Sequence, residues 1–377
     1  MPPPTSRAQD ARAGERKGGR RRWFDLHSWV GMKLCVLMAF ICITGTLAVF
    51  AQEIDWLLHK EMRVTPIDRR ASWGEMVDAA RSARPQWTLD SLTAPHASRF
   101  AAMAIMHRPD GQLRFVWIDP YRGVVTGDTA RFNVHRLLRN THRHLMMPLK
   151  IGVPLVSALS IPLVVTFVTS LVIYKRWWRG FATWPRAERP RRLWGDVHRL
   201  LGVWSLWFIA LIALTSLWYL VESLGGGARP VRLPKADESV SVAHRAPGAG
   251  GIDAAVAGIG ARWPALRVRG LQFDGATLQV IGQADAWLVR DRANAVALDL
   301  RDGRTLGAAD GRDLGLHQRI SEMADPLHFG SFGGWPIRLL WCLAGAALSA
   351  LSLSGAYLYG LRVADALRAA ARKRGRA

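Results

Sequence analysis

Four long apolar runs punctuate the chain, at approximately 29–50, 151–174, 201–221 and 337–359, each almost free of charge. Roughly 20 such residues cover a hydrocarbon core of about 30 Å. In lipid a helix satisfies its own backbone polar groups, so the runs predict four spanning helices. Pro154 and Pro162 fall in the second run, where they are tolerable and able to bend it. The two long stretches between runs one and two and between runs three and four have a different texture. In the first, 73–83 has the period of an amphipathic helix, and 115–125 reads as strand, turn and strand. In the second, 252–263 and 296–306 repeat that order.

The repetition is quantitative. Asp119 and Asp299, in the two turns, are 180 residues apart; His27 and His198, leading into runs one and three, are 171 apart; His142 and His328, leading into runs two and four, are 186 apart. Similar offsets at separate landmarks indicate a duplicated unit of span, intervening domain and span. Each unit holds two spans, so both copies share one orientation and form a parallel repeat about an axis along the membrane normal.

Composition fits a membrane protein with large polar parts, since 50% of the 377 residues are hydrophobic and 21% are charged. A net charge of +22 would suggest nucleic acid in a soluble chain, but the cations flank the apolar runs and no aromatic-interleaved binding module accompanies them. No nucleic-acid partner is expected; the partner of the flanks is membrane lipid. Arg20–Arg22, the stretch 175–192 and the tail after the fourth run are basic, which places both ends and the central link on the cytoplasmic side. The first run is too long for the apolar part of a cleavable signal and reads as a retained anchor. Cys35, Cys42 and Cys342 all lie in apolar runs, leaving no disulfide framework for the intervening domains.

Histidine beside a membrane span is costly and points to function. His27 and His198 begin the odd spans and His142 and His328 the even ones, so the first pair lies at one membrane face and the second at the other. Neutral imidazole is a strong iron ligand, and two on facing helices can hold haem between them in an apolar sleeve. The predicted sites are therefore two b-type haems, one ligated by His27 and His198 and one by His142 and His328. No other histidine falls on the side of the first pair. On the other side His135, His144 and His317 are also available, and Met146 and Met147 leave His/Met ligation open; His142 is preferred by position, with His135 and His144 as alternates. Arg143 and Arg199 follow ligand candidates directly, and Arg139 and Arg338 flank the second site. They suit anionic propionates, or equally act as positive anchors of helix ends. Most of the 17 tryptophans read as interfacial anchors, with Trp204, Trp207, Trp218 and Trp341 packing inside spans. His59, His96, His107 and His244 read as ordinary residues of the intervening domains.

These segments resemble the PepSY-associated transmembrane proteins. Val116-Trp117-Ile118-Asp119-Pro120-Tyr121-Arg122-Gly123-Val124-Val125 looks like the PepSY strand and turn signature. His27-Ser28-Trp29-Val30-Gly31 and His198-Arg199-Leu200-Leu201-Gly202 look like the family's His-x-x-x-Gly helix entries; His142-Arg143-His144-Leu145 and Leu327-His328-Phe329-Gly330 look like its even-span entries. In the second copy Leu300 stands where the turn proline would be, so that copy is degenerate. The resemblance implies a membrane all-α four-helix bundle with two extracytoplasmic α+β PepSY-like domains. The divisions are a basic cytoplasmic arm (1–28), a span (29–50), a PepSY-like domain (51–135), a lead-in and span (136–174), a cytoplasmic loop (175–197), a span (198–221), a degenerate PepSY-like domain (222–327), a lead-in and span (328–360) and a basic tail (361–377). A short basic helix is expected to about residue 372.

Within that family the resemblance implies an inner-membrane di-haem reductase that delivers electrons to ferric siderophores on the periplasmic side. No dinucleotide fingerprint occurs, so a separate reductase, a quinol or a soluble carrier would be the donor. Two other classes stay open: a haem-free PepSY protein that regulates or binds a partner, and a cytochrome b that passes electrons to quinone or a periplasmic protein. Four spans with histidines at their ends and no polar residues at mid-depth argue against a transporter.

Overall fold

The computed structural model describes residues 6–237 and 248–375; the first five residues of the basic arm, His244 and the last two residues of the tail lie outside them. Two compact bodies emerge, one helical (up to Val49, Leu138–Gly226 and from His328) and one built on a sheet (Phe50–Leu137 and Gly227–Leu327).

The helical body holds α1 (Ser6–Ala48), α5 (Leu149–Ser157), α6 (Ser160–Ile173), α7 (Pro190–Trp204), α8 (Leu206–Val221) and α11 (Gly334–Arg374). Among the described residues three stretches, Leu149–Ile173, Leu206–Gly226 and Gly334–Arg374, are long and apolar enough to cross a membrane; α1 makes a fourth if Gly19–Lys33 and Cys35–Ala48, bent by 65°, count as one span. The break between α5 and α6 has a direct cause. Pro162 has no N–H to give the carbonyl of Ala158, four residues back, and the helix restarts at Ser160. Pro154 is the sixth of the 9 residues of α5 and is accommodated within it. The predicted tail helix is continuous with the fourth span, as α11 runs unbroken to Arg374.

Packing closes these helices into a ring. α1 packs along α11 and α6, α6 and α5 pack along α8, and α11 packs along α7. The main contacts run round the ring, so α1 faces α7 and α8 across it, and α5 and α6 face α11. Buried Trp341 meets Trp207, Phe208 and Phe332 edge-on, with ring centroids 5.4–5.7 Å apart. Gly330 makes that packing possible: its φ of +66° suits glycine alone, and a Cβ there would lie 2.6 Å from Trp341.

The second body includes α2 (Ala51–Leu58), α3 (Trp73–Ala83), α9 (Ala249–Arg262) and an eight-stranded antiparallel sheet in the order β4-β3-β2-β1-β5-β6-β7-β8. The strands are β1 (Thr88–Thr93), β2 (Ala102–His107), β3 (Leu113–Asp119), β4 (Val124–Ala130), β5 (Arg267–Asp274), β6 (Thr277–Gln283), β7 (Asn294–Asp299) and β8 (Thr305–Ala309). Each intervening segment thus gives a helix and a four-stranded meander, and the two meanders join where Leu92 of β1 pairs with Leu271 of β5. The copies agree even in their irregularities. Bulges fall at Leu89/Ser91 and Val268/Gly270, 179 residues apart, and at Trp117/Ile118 and Ala297/Leu298, 180 apart.

A single apolar core spans both halves, with Val77, Leu92, Met106 and Ile118 of the first packed with Ile252, Ile259, Leu271 and Val280 of the second. The two helices cap one another. Asp253 of α9 accepts from Ser72 Oγ at 2.6 Å and Gly74 N at 2.8 Å, and Asp78 of α3 accepts from Ala249 N at 2.8 Å. Each carboxylate therefore lies at the positive end of the other helix.

The turn aspartates also behave alike. Asp119 accepts from the backbone of Tyr121 and Arg122, and Asp299 from that of Arg301. Gly123 and Gly303, both with positive φ, close the turns by donating to the Asp119 and Asp299 carbonyls. The proline missing from the second copy is not what holds this turn. Hydrogen bonding to Arg301 keeps the Asp299 carboxyl down at about 2.

Candidate functional site

Two short helices lead into the even spans, α4 (Val134–His144) and α10 (Leu316–Phe329). Asp55, almost fully buried, caps α4 by accepting from Val134 N and His135 N, both at 2.9 Å. His142 and His328 occupy the last turns of α4 and α10. Their rings face across the body with centroids 6.1 Å apart and planes inclined by 45°. His135 and His317 lie 7 and 11 residues earlier on these helices, about 10 and 16 Å along the axis, and do not join the pair. His144 is buried and its Nδ1 has no hydrogen-bond partner among the described residues; two residues on from His142, it is turned about 200° round α4. Leu145 and Met146, both with positive φ, then end the helix before Pro148.

Each of the four predicted histidines uses Nδ1 in the same way, toward a group in another helix. His142 Nδ1 lies 2.9 Å from the Ile41 carbonyl in α1, and His328 Nδ1 lies 2.9 Å from Thr215 Oγ1 in α8. His27 Nδ1 lies 2.9 Å from Thr169 Oγ1 in α6, and His198 Nδ1 lies 2.9 Å from Ser354 Oγ in α11. The directions of these bonds follow from the partners. A carbonyl can only accept, so His142 Nδ1 carries the proton. The three hydroxyls spend their own protons on backbone carbonyls one turn back: Thr215 on Leu211, Thr169 on Val165 and Ser354 on Leu351. They too accept from imidazole. All four rings are thereby set as Nδ1–H tautomers, with the lone pair on Nε2, the form that binds a metal through Nε2.

The surroundings keep these rings in place. A Cβ on Gly45 would lie 2.6 Å from His142 Cε1, so only glycine lets that imidazole lie against α1. Tyr219 packs edge-on to His328 at 5.3 Å between centroids. His27 lies on α1 and His198 on α7, helices that face across the ring. Along α1, His27 and Ile41 are 14 residues apart, about 21 Å of helix contour at 1.5 Å per residue, with the 65° bend between them, so the two pairs lie at different levels less than that contour apart.

Of the arginine candidates, Arg143 is exposed, while Arg199 bonds Asp196 at 3.0 Å and keeps a buried Nε without a partner. Asp196 also binds Arg186 at 2.9 Å, and that bond, ahead of its other contacts, holds its carboxyl below the usual range. Arg338 bonds the Val49 carbonyl near the end of the first span. The serine and threonine partners of the histidines are the residues that reading the sequence missed. The repeat held the signal: Thr169 and Ser354 are 185 apart, beside 186 for His142 and His328.

The chain is similar to a Pseudomonas aeruginosa protein, Uncharacterized protein PA4219, with 27% identity over 254 residues that make up 61% of this chain and 64% of that protein. The match thus covers less than two thirds of the relative's length. The family description PepSY-associated TM region matches residues 24–362, from just before His27 to just beyond the apolar part of α11, taking in all four histidines and both meanders. The chain is a membrane protein and belongs to the PepSY-associated TM region family.

Proposed function

We propose that this protein is an inner-membrane oxidoreductase, a di-haem b-type electron-transfer protein that reduces ferric siderophores or a related ferric substrate at the periplasmic face. The observation that carries the reading is the 6.1 Å between the centroids of His142 and His328. With metal–nitrogen bonds of about 2 Å and a ring radius of about 1 Å, that separation would leave room for one metal held by both imidazoles. The tautomer set by the Nδ1 bonds leaves the Nε2 lone pair of each ring free to bind iron. His142 and His328 would hold one haem, and His27 and His198 the other. The chain has no Cys-x-x-Cys-His attachment sequence, so ligation and packing alone would retain them.

Haem held in this way supplies one-electron exchange without proton transfer. The protein's own contribution is to fix the imidazoles, exclude water with the apolar helix ring and keep the two pairs at different depths. The basic flanks favour a topology in which the His27 pair lies at the cytoplasmic side, where a quinol or a separate reductase would give up electrons, and the His142 pair at the periplasmic side. Each ferric ion takes up one electron, and the ferrous product is held less tightly by hard oxygen ligands, which releases it. No general acid or base is needed for that exchange.

The test is anaerobic mixing of dithionite-reduced, excess-free protein with a ferric hydroxamate in the presence of a ferrous chelator. The proposal expects the reduced haem bands to bleach as ferrous chelate forms, one iron per electron lost. Reduced bands that persist with ferric hydroxamate but are discharged by a quinone would overturn the substrate and favour a quinone-linked cytochrome b.

A further inference from the structure

We infer that Thr215, Thr169 and Ser354 are positioning residues for the haem ligands, selecting the nitrogen that each imidazole presents to iron and setting that iron's electron density. The inference rests on the haem reading above. Its geometry is reciprocal within each half of the chain. In the first half, His27 at the start of span one bonds Thr169 in span two, and His142 at the start of span two bonds Ile41 in span one. In the second half, His198 bonds Ser354 in span four, and His328 bonds Thr215 in span three. Each half therefore braces its own two ligands, while each ligand pair draws one histidine from each half.

The hydroxyls are suited to this because a back-bonded threonine or serine has no proton left to offer the ring. Hydrogen bonding at Nδ1 orients a ligating histidine and makes it a more basic donor. A more basic ligand favours the ferric state, so losing the acceptor raises that haem's potential and weakens its retention. Thr215 is the position to test first, because its partner His328 belongs to the pair whose rings are 6.1 Å apart.

Redox titration and haem retention of full-length protein in detergent test this with Thr215→Val, which keeps the side-chain shape and removes the acceptor. The expected result is one haem held about 10- to 100-fold less tightly and titrating at a higher potential, the other haem unchanged, and both properties restored in Thr215→Ser. Thr169→Val and Ser354→Ala should each move the other haem. If wild-type protein keeps two haems while Thr215→Val has unchanged potentials and retention, the positioning role is wrong and the haem reading stands. If wild-type protein binds no haem, both fall together. A Thr215→Val protein that loses both haems equally, without rescue by serine, also overturns it, since that is the mark of general structural damage.

Discussion

At the level of single residues, the histidines were readable because imidazole beside lipid is expensive and recurs here at matched offsets. Their partners were not, because serine and threonine commonly bond back to their own helix and carry no separate signal in an apolar run. Gly45 was equally silent, being one small residue among many in α1. Its role gives a prediction in which two effects compete. Gly45→Ala should gain about 1 kcal/mol of helix propensity, yet its methyl would sit 2.6 Å from His142 Cε1. On the proposed haem reading the steric term decides at His142: haem content of that pair should fall while the thermal midpoint of the haem-free protein holds or rises, and unchanged haem content would refute the contact.

Asp299 offers a second residue-level test, through pH. Arg301 holds its folded-state pKa at about 2, below the unfolded value of about 3.9. A depressed carboxyl contributes stability that is full above the unfolded value and lost as pH falls through the folded one. Wild-type protein should therefore lose stability between about pH 4 and pH 2, and Asp299→Asn should be less stable at neutral pH with a flatter acid limb. Near-UV circular dichroism across that range distinguishes the two profiles.

Among the elements, apolarity announced the spans and period the helices of the sheet body. The expectation of a helix at 73–83 coincides with α3, and 252–263 lies within three residues of α9 at its start and one at its end. The 65° bend in α1 and the restart at Leu206 were not legible, because neither is marked by proline. The mutual capping of α3 and α9 was hidden for another reason: the pairing of Asp78 with one helix end and Asp253 with the other is a long-range contact. It bears on stability in a measurable way. Asp78→Ala and Asp253→Ala should each cost about 1 kcal/mol, the usual value of a helix N-cap. Because each removes a carboxylate from a shared pair of helix ends, the double variant should depart from additivity by at least about 0.5 kcal/mol in urea unfolding. Strict additivity would show that the two caps act independently.

For the molecule as a whole, the offsets near 180 foretold a duplicated chain, and bulges 179 and 180 residues apart bear this out. What the offsets could not supply was how the copies meet. The β1–β5 junction depends on which strand edges find one another, and alternating residues leave that choice open. The same duplication accounts for the site. The repeat brings one equivalent pair, His142 and His328, face to face within the helical body, and the proposal assigns His27 and His198 the same relation. The account's central claim is that these pairs are haem sites. Its most direct test is a reduced-minus-oxidised visible spectrum with haem-to-protein stoichiometry on detergent-purified protein, repeated for His198→Ala and His328→Ala. Two b-type haems per chain, with a different one lost in each variant, is the predicted result; well-folded protein purified without haem, and unable to take it up, would contradict the account and leave a haem-free membrane protein that regulates or binds a partner.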